Sequence, residues 1–447
     1  MDQLAGLAPR RAALGILRRV RAGTPFDVAL DRELGGLEGA DRRLAHELAA
    51  GVLRTEGSLD ARLAPLVPRG WAQVKPVLRD VLRLGAYQLS ELERVPAHAA
   101  VSTSVEAASE LGGKKAGGFV NAVLRKVAAG TAGTAGTAGT AGGAVAGGGR
   151  ARTAGELAGA YSHPEWLVAR WLERFGADET ERLLRWNNSR PPLVLQGARE
   201  PLEEVARRLA QAGLRADPAP YGAGVVTDRG RPRDLPGYAE GAFVVQDPAQ
   251  ALLAWFADLP SDAVVYDACA APGGKSVALG RAVRGVVAAD VSATRVSRLA
   301  ENLRRAGSGR EYAIVADARC SPIRPTDAVL LDAPCLGTGT FARHPDARGR
   351  VTEDALAELA AAQRELLESA AGSVRPGGLL IYATCSLEPE ENETQVDGFL
   401  EAHPQFRRDP PRDFPKGLLS PKGDLVVLPQ RHGMDGAFAA RLRRAEA

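Results

Sequence analysis

Two cysteines each stand at the end of a short apolar segment that the sequence predicts to be a strand. Cys335 ends residues 328–335 (AVLLDAPC), and Cys385 lies near the end of residues 379–386 (LLIYATCS). Such apolar runs, separated by helical sequence, are typical of parallel strands buried on both faces. Ligands of open α/β sheets bind just outside the carboxyl ends of the strands. The two thiols could therefore face one crevice and act on a ligand, but free cysteines are just as often small buried apolar side chains.

A loop of small residues, 267–275 (DACAAPGGK), separates a predicted strand from a predicted helix. It has neither G-x-G-x-x-G nor Walker A spacing, yet its small residues would let a ligand approach the backbone and the helix N-terminus. The next two predicted strands end at Asp290 and Asp317, where carboxylates could accept hydrogen bonds from ribose hydroxyls and an adenine amino group. One such acid is more often a helix cap. Three acids in consecutive turns favour a nucleoside cofactor, with S-adenosylmethionine and NAD both open on this reasoning.

The elements that would position these residues alternate between strand and helix from residue 246 onward, and this succession predicts an α/β fold with a doubly wound parallel sheet. The predicted strands cover residues 264–267, 286–290, 312–316, 328–332 and 379–385, and the predicted helices start at about residue 276 or cover residues 294–306 and 354–373.

The sequence before this region predicts three further segments. Residues 1–129 carry apolar residues at helical spacing and predict an all-helical domain. Residues 130–150 repeat Thr-Ala-Gly and predict a flexible linker. Residues 151–245 predict a helical linker and a small α+β subdomain, which leaves residues 246–447 as the catalytic domain.

Composition and charge limit the function classes. The four cysteines form neither a disulfide framework nor a metal-ligand pattern, so no metal is expected. Neither a signal peptide nor a membrane-spanning run is evident, and we expect a cytoplasmic, monomeric protein with no membrane partner. Residues 1–130 contain 19 Lys+Arg and 14 Asp+Glu, a net charge of +5, whereas the whole chain has +3. This basic helical segment is compatible with RNA contact, although such charges commonly lie on solvated helix faces.

Three motifs resemble the RsmB/Sun family of RNA cytosine-carbon-5 methyltransferases: residues 267–275, 332–339 (DAPCLGTG) and 384–393 (TCSLEPEENE). Residues 119–125 (FVNAVLR) and 161–164 (YSHP) resemble the bacterial RsmB members, which place a NusB-like helical domain before the catalytic part. The resemblance covers nearly the whole chain except the Thr-Ala-Gly segment. It implies a Rossmann-like, S-adenosylmethionine-dependent methyltransferase that acts on small-subunit ribosomal RNA.

The resemblance also implies the roles of individual residues. Cys385 resembles the nucleophile, and Cys335 resembles the second cysteine, which helps to release the product. Asp332 resembles the acid that holds cytosine N3, and Lys275 resembles the lysine of the cofactor and active-site loop. The residues implied in cofactor binding are Cys269, Ala270, Ala271, Pro272, Gly273, Gly274, Lys275, Asp290, Arg295, Asp317 and Asp332.

These roles suit the chemistry. Carbon 5 of cytosine is a poor nucleophile, and addition of a thiolate to carbon 6 makes it enamine-like, so that it can accept a methyl group from a sulfonium. An acid at N3 stabilises the charge that develops on addition, and a base must remove the carbon 5 proton before the thiol leaves.

The sequence departs from the family pattern at two places. Leu336 stands where the family usually has Ser, and residues 348–350 (RGR) stand where an aromatic residue is expected. Two other functions stay open: the same chemistry on transfer RNA or large-subunit RNA, and a non-catalytic RNA-binding assembly factor.

Overall fold

The structure, a computed structural model, describes residues 6–132, 152–228 and 230–446. Its contacts divide these residues into two units. The first unit holds the chain up to Ser189 together with Phe341–Arg350, and the second holds Arg190–Thr340 and the chain from Val351 onward. The predicted linker over residues 130–150 lies outside the described residues from residue 133, and its first three residues end a helix.

The first unit is helical. Its helices are α1 (Leu7–Arg21), α2 (Phe26–Glu33), α3 (Gly39–Leu63), α4 (Pro76–Glu91), α5 (Ala97–Ala132), α6 (Ala154–Tyr161), α7 (Glu165–Phe175) and α8 (Ala177–Asn188). Ile16, Leu48 and Leu124 are completely buried in the core that α1–α5 share, as their spacing predicted. Helix α5 is interrupted at Gly112 and Gly113, and Gly113 has a φ of 72°, which glycine adopts without strain.

The second unit begins with a small antiparallel sheet. Its strands are β1 (Leu193–Gly197), β2 (Asp217–Pro218), β3 (Val225–Thr227) and β4 (Phe243–Val245), in the order β2-β3-β1-β4. Helix α9 (Leu202–Gln211) lies between β1 and β2 in sequence and buries Val205 and Leu209 in the core that it shares with this sheet.

A larger sheet follows in the same unit. Its strands are β5 (Val264–Asp267), β6 (Gly285–Asp290), β7 (Glu311–Val315), β8 (Thr326–Asp332), β9 (Val374–Thr384), β10 (Phe406–Arg408), β11 (Leu425–Val427) and β12 (Ala437–Arg444). The accompanying helices are α10 (Pro248–Ala257), α11 (Gly274–Ala282), α12 (Ala293–Ala306), α13 (Glu353–Gly372), α14 (Glu393–Ala402) and α15 (Pro429–His432).

The order of the main strands is β10-β12-β9-β8-β5-β6-β7, and β5 to β9 are parallel. The chain runs from β5 outward to β7 and then returns to β8 on the other side of β5. This reversal makes the carboxyl end of β5 a topological switch point, where ligands of such sheets bind. The predicted doubly wound α/β fold is confirmed.

The sheet also contains strands that the sequence analysis did not predict. Strands β10, β11 and β12 pair antiparallel and join the sheet through β12, which lies beside β9. Strand β12 reads AFAARLRR, and its three alanine residues have low strand propensity. It is a strand because Phe438 and Leu442 are buried against the rest of the sheet.

None of the helices in the described part of the chain has the length and apolar character needed to cross a lipid bilayer.

Candidate active site

The ends of the parallel strands bring several predicted site residues together. Asp267, Asp290 and Asp332 are the last residues of β5, β6 and β8. The pKa of Asp267 is raised to about 7, first because the carboxyl group is fully buried and then because Asp332 and Asp290 carry the same charge nearby. The hydroxyl of Ser276 donates to Asp267 Oδ2 over 2.6 Å and, with Lys275, opposes this shift. The three acids and Lys275 therefore belong to one electrostatic site.

The two cysteines named by the motifs are neighbours. Cys335 Sγ and Cys385 Sγ lie 3.4 Å apart, and both residues are half-buried. The parallel pairing of β8 and β9 sets this distance, since Ala333 N–H donates to the Ala383 carbonyl over 2.8 Å just before the two loops begin. The hydrogen bond to Cys385, burial and nearby negative charge raise the pKa of the Cys335 thiol well above its ordinary value. Cys335 therefore keeps its proton beside the Cys385 sulfur.

Lys275 and Asp332 form an ion pair. Lys275 Nζ donates to Asp332 Oδ2 over 2.7 Å, and the two side chains are 14% and 29% exposed. Burial tends to lower the pKa of Lys275, but the charge and hydrogen bond of Asp332 outweigh it, and the negative charge of Cys385 adds to them. The net effect raises this pKa, so a fixed ammonium group stands close to both Asp332 and Cys385.

Glu391 holds the loop that carries Cys335, a role that the sequence analysis did not assign. Its Oε1 accepts hydrogen bonds from Leu336 N–H over 3.0 Å and from Gln363 Nε2 over 2.9 Å. Gln363 Nε2 also donates to the Pro334 carbonyl over 2.8 Å. The available signal was the position of Glu391 inside the third motif. Leu336 takes part through its backbone N–H, which any residue other than proline supplies, so this contact does not depend on its departure from Ser.

The loop that carries Cys385 is held by buried polar groups. Asn392 donates from Nδ2 to the Ser386 carbonyl over 3.0 Å and accepts from the Thr384 hydroxyl. Thr338 Oγ1 accepts from Leu387 N–H over 2.8 Å, and Gly339 N–H donates to the Cys385 carbonyl over 3.0 Å. These bonds tie the two cysteine loops together and restrict where the sulfur atoms can lie.

The backbone of the glycine loop after β5 lies close to helix α12. Gly273 has a φ of 105°, and a Cβ atom there would lie 2.7 Å from Leu299 Cδ1. The Pro272 carbonyl accepts a hydrogen bond from Asn302 Nδ2 over 2.9 Å. Burial, followed by neighbouring carboxylates, raises the pKa of Cys269 to about 12, so this thiol stays protonated.

The two further predicted cofactor acids have partners of their own. Asp290 Oδ1 accepts from Ser292 N–H over 2.9 Å and lies 3.3 Å from Arg295 Nε. Asp317 pairs with Arg319 through both oxygens, and these hydrogen bonds lower the pKa of Asp317 to about 2. Each acid thus also shapes its own turn, but neither is the helix cap that the sequence left open: the N-cap of α12 is Ser292, and the element that follows Asp317 is β8.

Arg348, where the sequence departs from the family pattern, contacts other residues of the first unit. Its guanidinium donates to Asn188 Oδ1 over 2.6 Å, to the Arg54 carbonyl over 3.1 Å and to the Asn187 carbonyl. Burial, and then the charge of Arg54, lowers the pKa of Arg348 to about 9. The side chain therefore anchors residues 341–350 within that unit.

A doubly wound sheet with a small-residue loop at its switch point and acids at successive strand ends defines a Rossmann-like methyltransferase fold. Comparison with known proteins agrees. A family model described as 16S rRNA methyltransferase RsmB/F matches residues 255–443, a NusB family model matches residues 7–129, and an RsmF/B-like ferredoxin-like domain matches residues 163–231.

Relatives are similar over almost their full length. Ribosomal RNA small subunit methyltransferase B of Pseudomonas putida is 35% identical and covers 97% of this chain and 98% of its own. The protein of the same name from Vibrio cholerae is 33% identical, with coverages of 97% and 96%. The crystal structure of PH0851 superposes with a TM-score of 0.78 at 27% identity and covers 98% of both chains. The chain belongs to the RsmB/F family of 16S rRNA methyltransferases.

Proposed function

We propose that this protein transfers a methyl group from S-adenosylmethionine to carbon 5 of a cytosine in small-subunit ribosomal RNA, through a covalent adduct with Cys385. The observation that carries the proposal is the 3.4 Å contact between Cys385 Sγ and Cys335 Sγ in a family of 16S rRNA methyltransferases. A single thiol could be structural, whereas two thiols in contact at the ends of adjacent strands are suited to adding to a base and then leaving it.

Cys385 is the nucleophile in this proposal. A thiolate, not a thiol, adds to carbon 6, so the site must favour negative charge on sulfur. Two groups favour it: the Cys335 thiol is in hydrogen-bonding contact, and the Lys275 ammonium lies close enough to interact with the Cys385 charge. Asp332 keeps Lys275 in place through the 2.7 Å ion pair.

Cys335 serves the release of the product. Its pKa is raised first by the hydrogen bond to Cys385 and also by the charge on that sulfur. When Cys385 becomes a thioether, its sulfur loses its charge and is a weaker hydrogen-bond acceptor, so two of the causes that hold the proton on Cys335 weaken, whereas burial remains. Cys335 first gives up its own proton to solvent, and its thiolate then removes the carbon 5 proton. The electron pair left on carbon 5 forms the double bond to carbon 6 as the bond between carbon 6 and Cys385 breaks.

Asp332 holds the cytosine. Its Oδ2 is occupied by Lys275, whereas no described residue hydrogen-bonds to Oδ1, and the side chain is 29% exposed. The free oxygen can contact N3 of the base and, when it carries a proton, donate it to N3, where negative charge develops on addition. The ion pair thus links the group that binds the base to the cation beside the nucleophile.

The residues around the glycine loop fit S-adenosylmethionine, which supplies an electrophilic methyl group on a sulfonium when bound. Asp267 Oδ1 is buried and has no hydrogen-bond partner among the described residues, so a cationic or hydrogen-bond-donating ligand group would satisfy it. The backbone of residues 269–274 would contact the ligand, and Lys275 would lie at the end of this loop. Asp290 would accept from the ribose hydroxyls, with Arg295 holding its carboxylate, and Asp317 would accept from the adenine amino group.

Methylation of defined RNAs tests the proposal. The purified chain is incubated with labelled S-adenosylmethionine and transcripts of 16S rRNA, 23S rRNA or transfer RNA, and bisulfite sequencing locates 5-methylcytosine. We expect one modified cytosine in 16S rRNA, and Cys385→Ala is the inactive control. Replacement of the target by 5-fluorocytosine should trap the protein on the RNA, because fluorine cannot leave as a proton does. Methylation at another atom, or in 23S rRNA or transfer RNA only, would contradict the proposal.

A further inference from the structure

A cleft of about 570 Å³ in the second unit is lined by three arginines, Arg199, Arg281 and Arg310, together with Ser308. The arginines come from separate parts of the chain: the loop after β1, the end of α11 and the residue before β7. All three side chains are exposed. The fold therefore gathers three cations into one concave surface.

Backbone carbonyls hold these guanidinium groups, and carboxylates do not. Arg199 donates from Nη2 to the Arg304 carbonyl over 2.6 Å, and Arg281 donates from Nη1 to the Gly197 carbonyl over 2.6 Å. Arg310 donates from Nη1 to the Val283 carbonyl over 3.1 Å. Carbonyls orient an arginine without neutralising it, and within the described chain none of the three forms a salt bridge.

Two acids that are adjacent in sequence to these arginines, Glu200 and Glu311, already have other partners. Glu200 pairs with Arg208 at 2.6 Å. Glu311 accepts hydrogen bonds from the backbone N–H groups of Ser308, Gly309 and Arg310 over 3.0 to 3.1 Å, so its carboxylate shapes the loop at the edge of the cleft. Even with Glu311 counted, the three arginines leave a positive surplus that favours an anion.

The cleft lies at the amino ends of the parallel strands, whereas the candidate active site lies at their carboxyl ends. Arg310 comes directly before Glu311, the first residue of β7, whereas the catalytic candidates follow the carboxyl ends of the parallel strands. Strand β7 spans 5 residues, so about 17 Å separates its amino end from its carboxyl end. An anion in the cleft therefore cannot belong to the target nucleotide or to the cofactor.

We propose that this cleft binds backbone phosphates of the RNA substrate, several nucleotides away from the target cytosine. The inference rests on the proposed function, since it takes RNA as the substrate. Phosphate contacts by arginine position an RNA without reading its sequence. The cleft would then add affinity for long structured RNA and none for a short fragment around the target.

A triple variant tests the inference in the full-length chain. R199Q/R281Q/R310Q removes three charges while glutamine retains a donor for the carbonyl contacts. The control, R182Q/R207Q/R215Q, removes three equally exposed charges whose partners are the carboxylates of Glu179, Glu204 and Asp217. Binding is measured over a salt series with a long 16S rRNA fragment and with a five-nucleotide RNA that contains the target. Calorimetry with S-adenosylmethionine and thermal unfolding report whether the fold is intact.

We expect the cleft variant to bind the long RNA ~10–100-fold more weakly, with the slope of log K against log salt reduced by about 2–3, because three phosphate contacts are lost. The affinity of the control variant for the long RNA should stay within about twofold of that of the unsubstituted protein. Neither variant should alter binding of the short RNA or the cofactor. If the cleft variant unfolds at a lower temperature than the unsubstituted protein, Arg281→Gln alone, which alters only one carbonyl contact, should still reduce the slope by about 1.

Equal affinity of the cleft variant and the control for long RNA would overturn the inference. The inference would also be overturned if the unsubstituted protein bound tripolyphosphate, the cleft variant did not, and both bound long RNA equally well. The cleft would then be a site for free phosphates. Failure of the unsubstituted protein to methylate any rRNA would instead refute the proposed function.

Discussion

Cys335 Sγ and Cys385 Sγ are 3.4 Å apart although the two residues are separated by 50 positions in the chain. Strands β8 and β9 are paired in parallel, with Asp332 opposite Ala383, so both loops start at the same level of the sheet. Buried hydrogen bonds then hold each loop: Leu336 N–H donates to Glu391, and Asn392 donates to the Ser386 carbonyl. The contact between the sulfur atoms depends on strand register as much as on the cysteines themselves.

Separate substitutions of the two cysteines should distinguish addition to the cytosine from release of the methylated RNA. Cys385→Ala should lose methyl transfer and form no covalent adduct, because carbon 6 has no nucleophile. Cys335→Ser should still add and methylate but should release slowly, so that a protein–RNA band accumulates on a denaturing gel. A band that persists in Cys385→Ala and is absent from Cys335→Ser would reverse the two roles. Full activity of both variants would make both cysteines structural.

Lys275→Met should reduce kcat/KM for methyl transfer by ~100-fold or more, because the cation beside Asp332 and Cys385 is lost. Lys422→Met is the matched control, since it breaks an exposed 2.8 Å ion pair with Asp397 and should leave activity unchanged. Steady-state methylation of 16S rRNA is the measurement. Similar rates for the two variants would show that the Lys275 ammonium has no part in the reaction.

Asp267→Asn should alter the pH dependence of stability. The folded protein holds the Asp267 proton up to about pH 7, whereas an unfolded aspartate releases it near its ordinary value of 3.8. The folded state therefore binds more protons between these values, and the free energy of unfolding falls as pH rises through this window. The pKa of Asp267 differs by about 3 between the folded and unfolded states, which corresponds to a loss of at most about 4 kcal/mol in the free energy of unfolding. The asparagine variant should not suffer this loss.

Denaturant unfolding at pH 5 and pH 8, without cofactor, measures this effect. The variant should gain stability relative to the unsubstituted protein at pH 8 and much less at pH 5. Asp217→Asn, at an exposed position, serves as the control. A gain of the same size at both pH values would mean that the Asp267 proton is not responsible.

Asp290→Asn should weaken S-adenosylmethionine binding by ~1–3 kcal/mol, because the ribose hydroxyls lose a charged acceptor. Asparagine can still accept from Ser292 N–H, so the turn after β6 is retained. Ser292→Ala is the control for the turn itself, since it removes the side-chain cap on Arg295 N–H. Calorimetry with the cofactor should show a clear loss for the first variant and a small one for the second. The reverse order would restrict Asp290 to shaping the turn after β6.

Glu391→Ala should slow methyl transfer and lower the free energy of unfolding by ~1–3 kcal/mol, because Leu336 N–H and Gln363 lose a buried acceptor. Cofactor affinity should not change, since Glu391 holds the cysteine loop and not the glycine loop. Glu401→Ala, at an exposed position on α14, should affect neither property. Unfolding curves and single-turnover methylation measure the two effects. Loss of stability with a normal rate would restrict Glu391 to a structural role.

Much of the fold could be predicted from local patterns. The apolar runs of β5, β6 and β8 and the stripes of α12 and α13 specify their own elements, and their alternation predicts a parallel sheet. Strand β12 could not be found in this way, because its alanines and arginines become a strand only against β9. The motifs also pointed to the candidate site, where the assigned roles of Cys385, Cys335, Asp332 and Lys275 stay predictions until the variants are measured.

The sequence by itself determined which residues stand at the strand ends, because apolar periodicity and turn residues act over a few positions. Tertiary structure decided which of these groups touch. The register of β8 and β9 set the distance between Cys335 and Cys385, and the burial of Asp267 raised its pKa. Glu391 found its partners, Leu336 and Gln363, on other elements. Distances between side chains, and the electrostatic field around them, depend on segments far apart in the chain, and a local pattern contains no information about those.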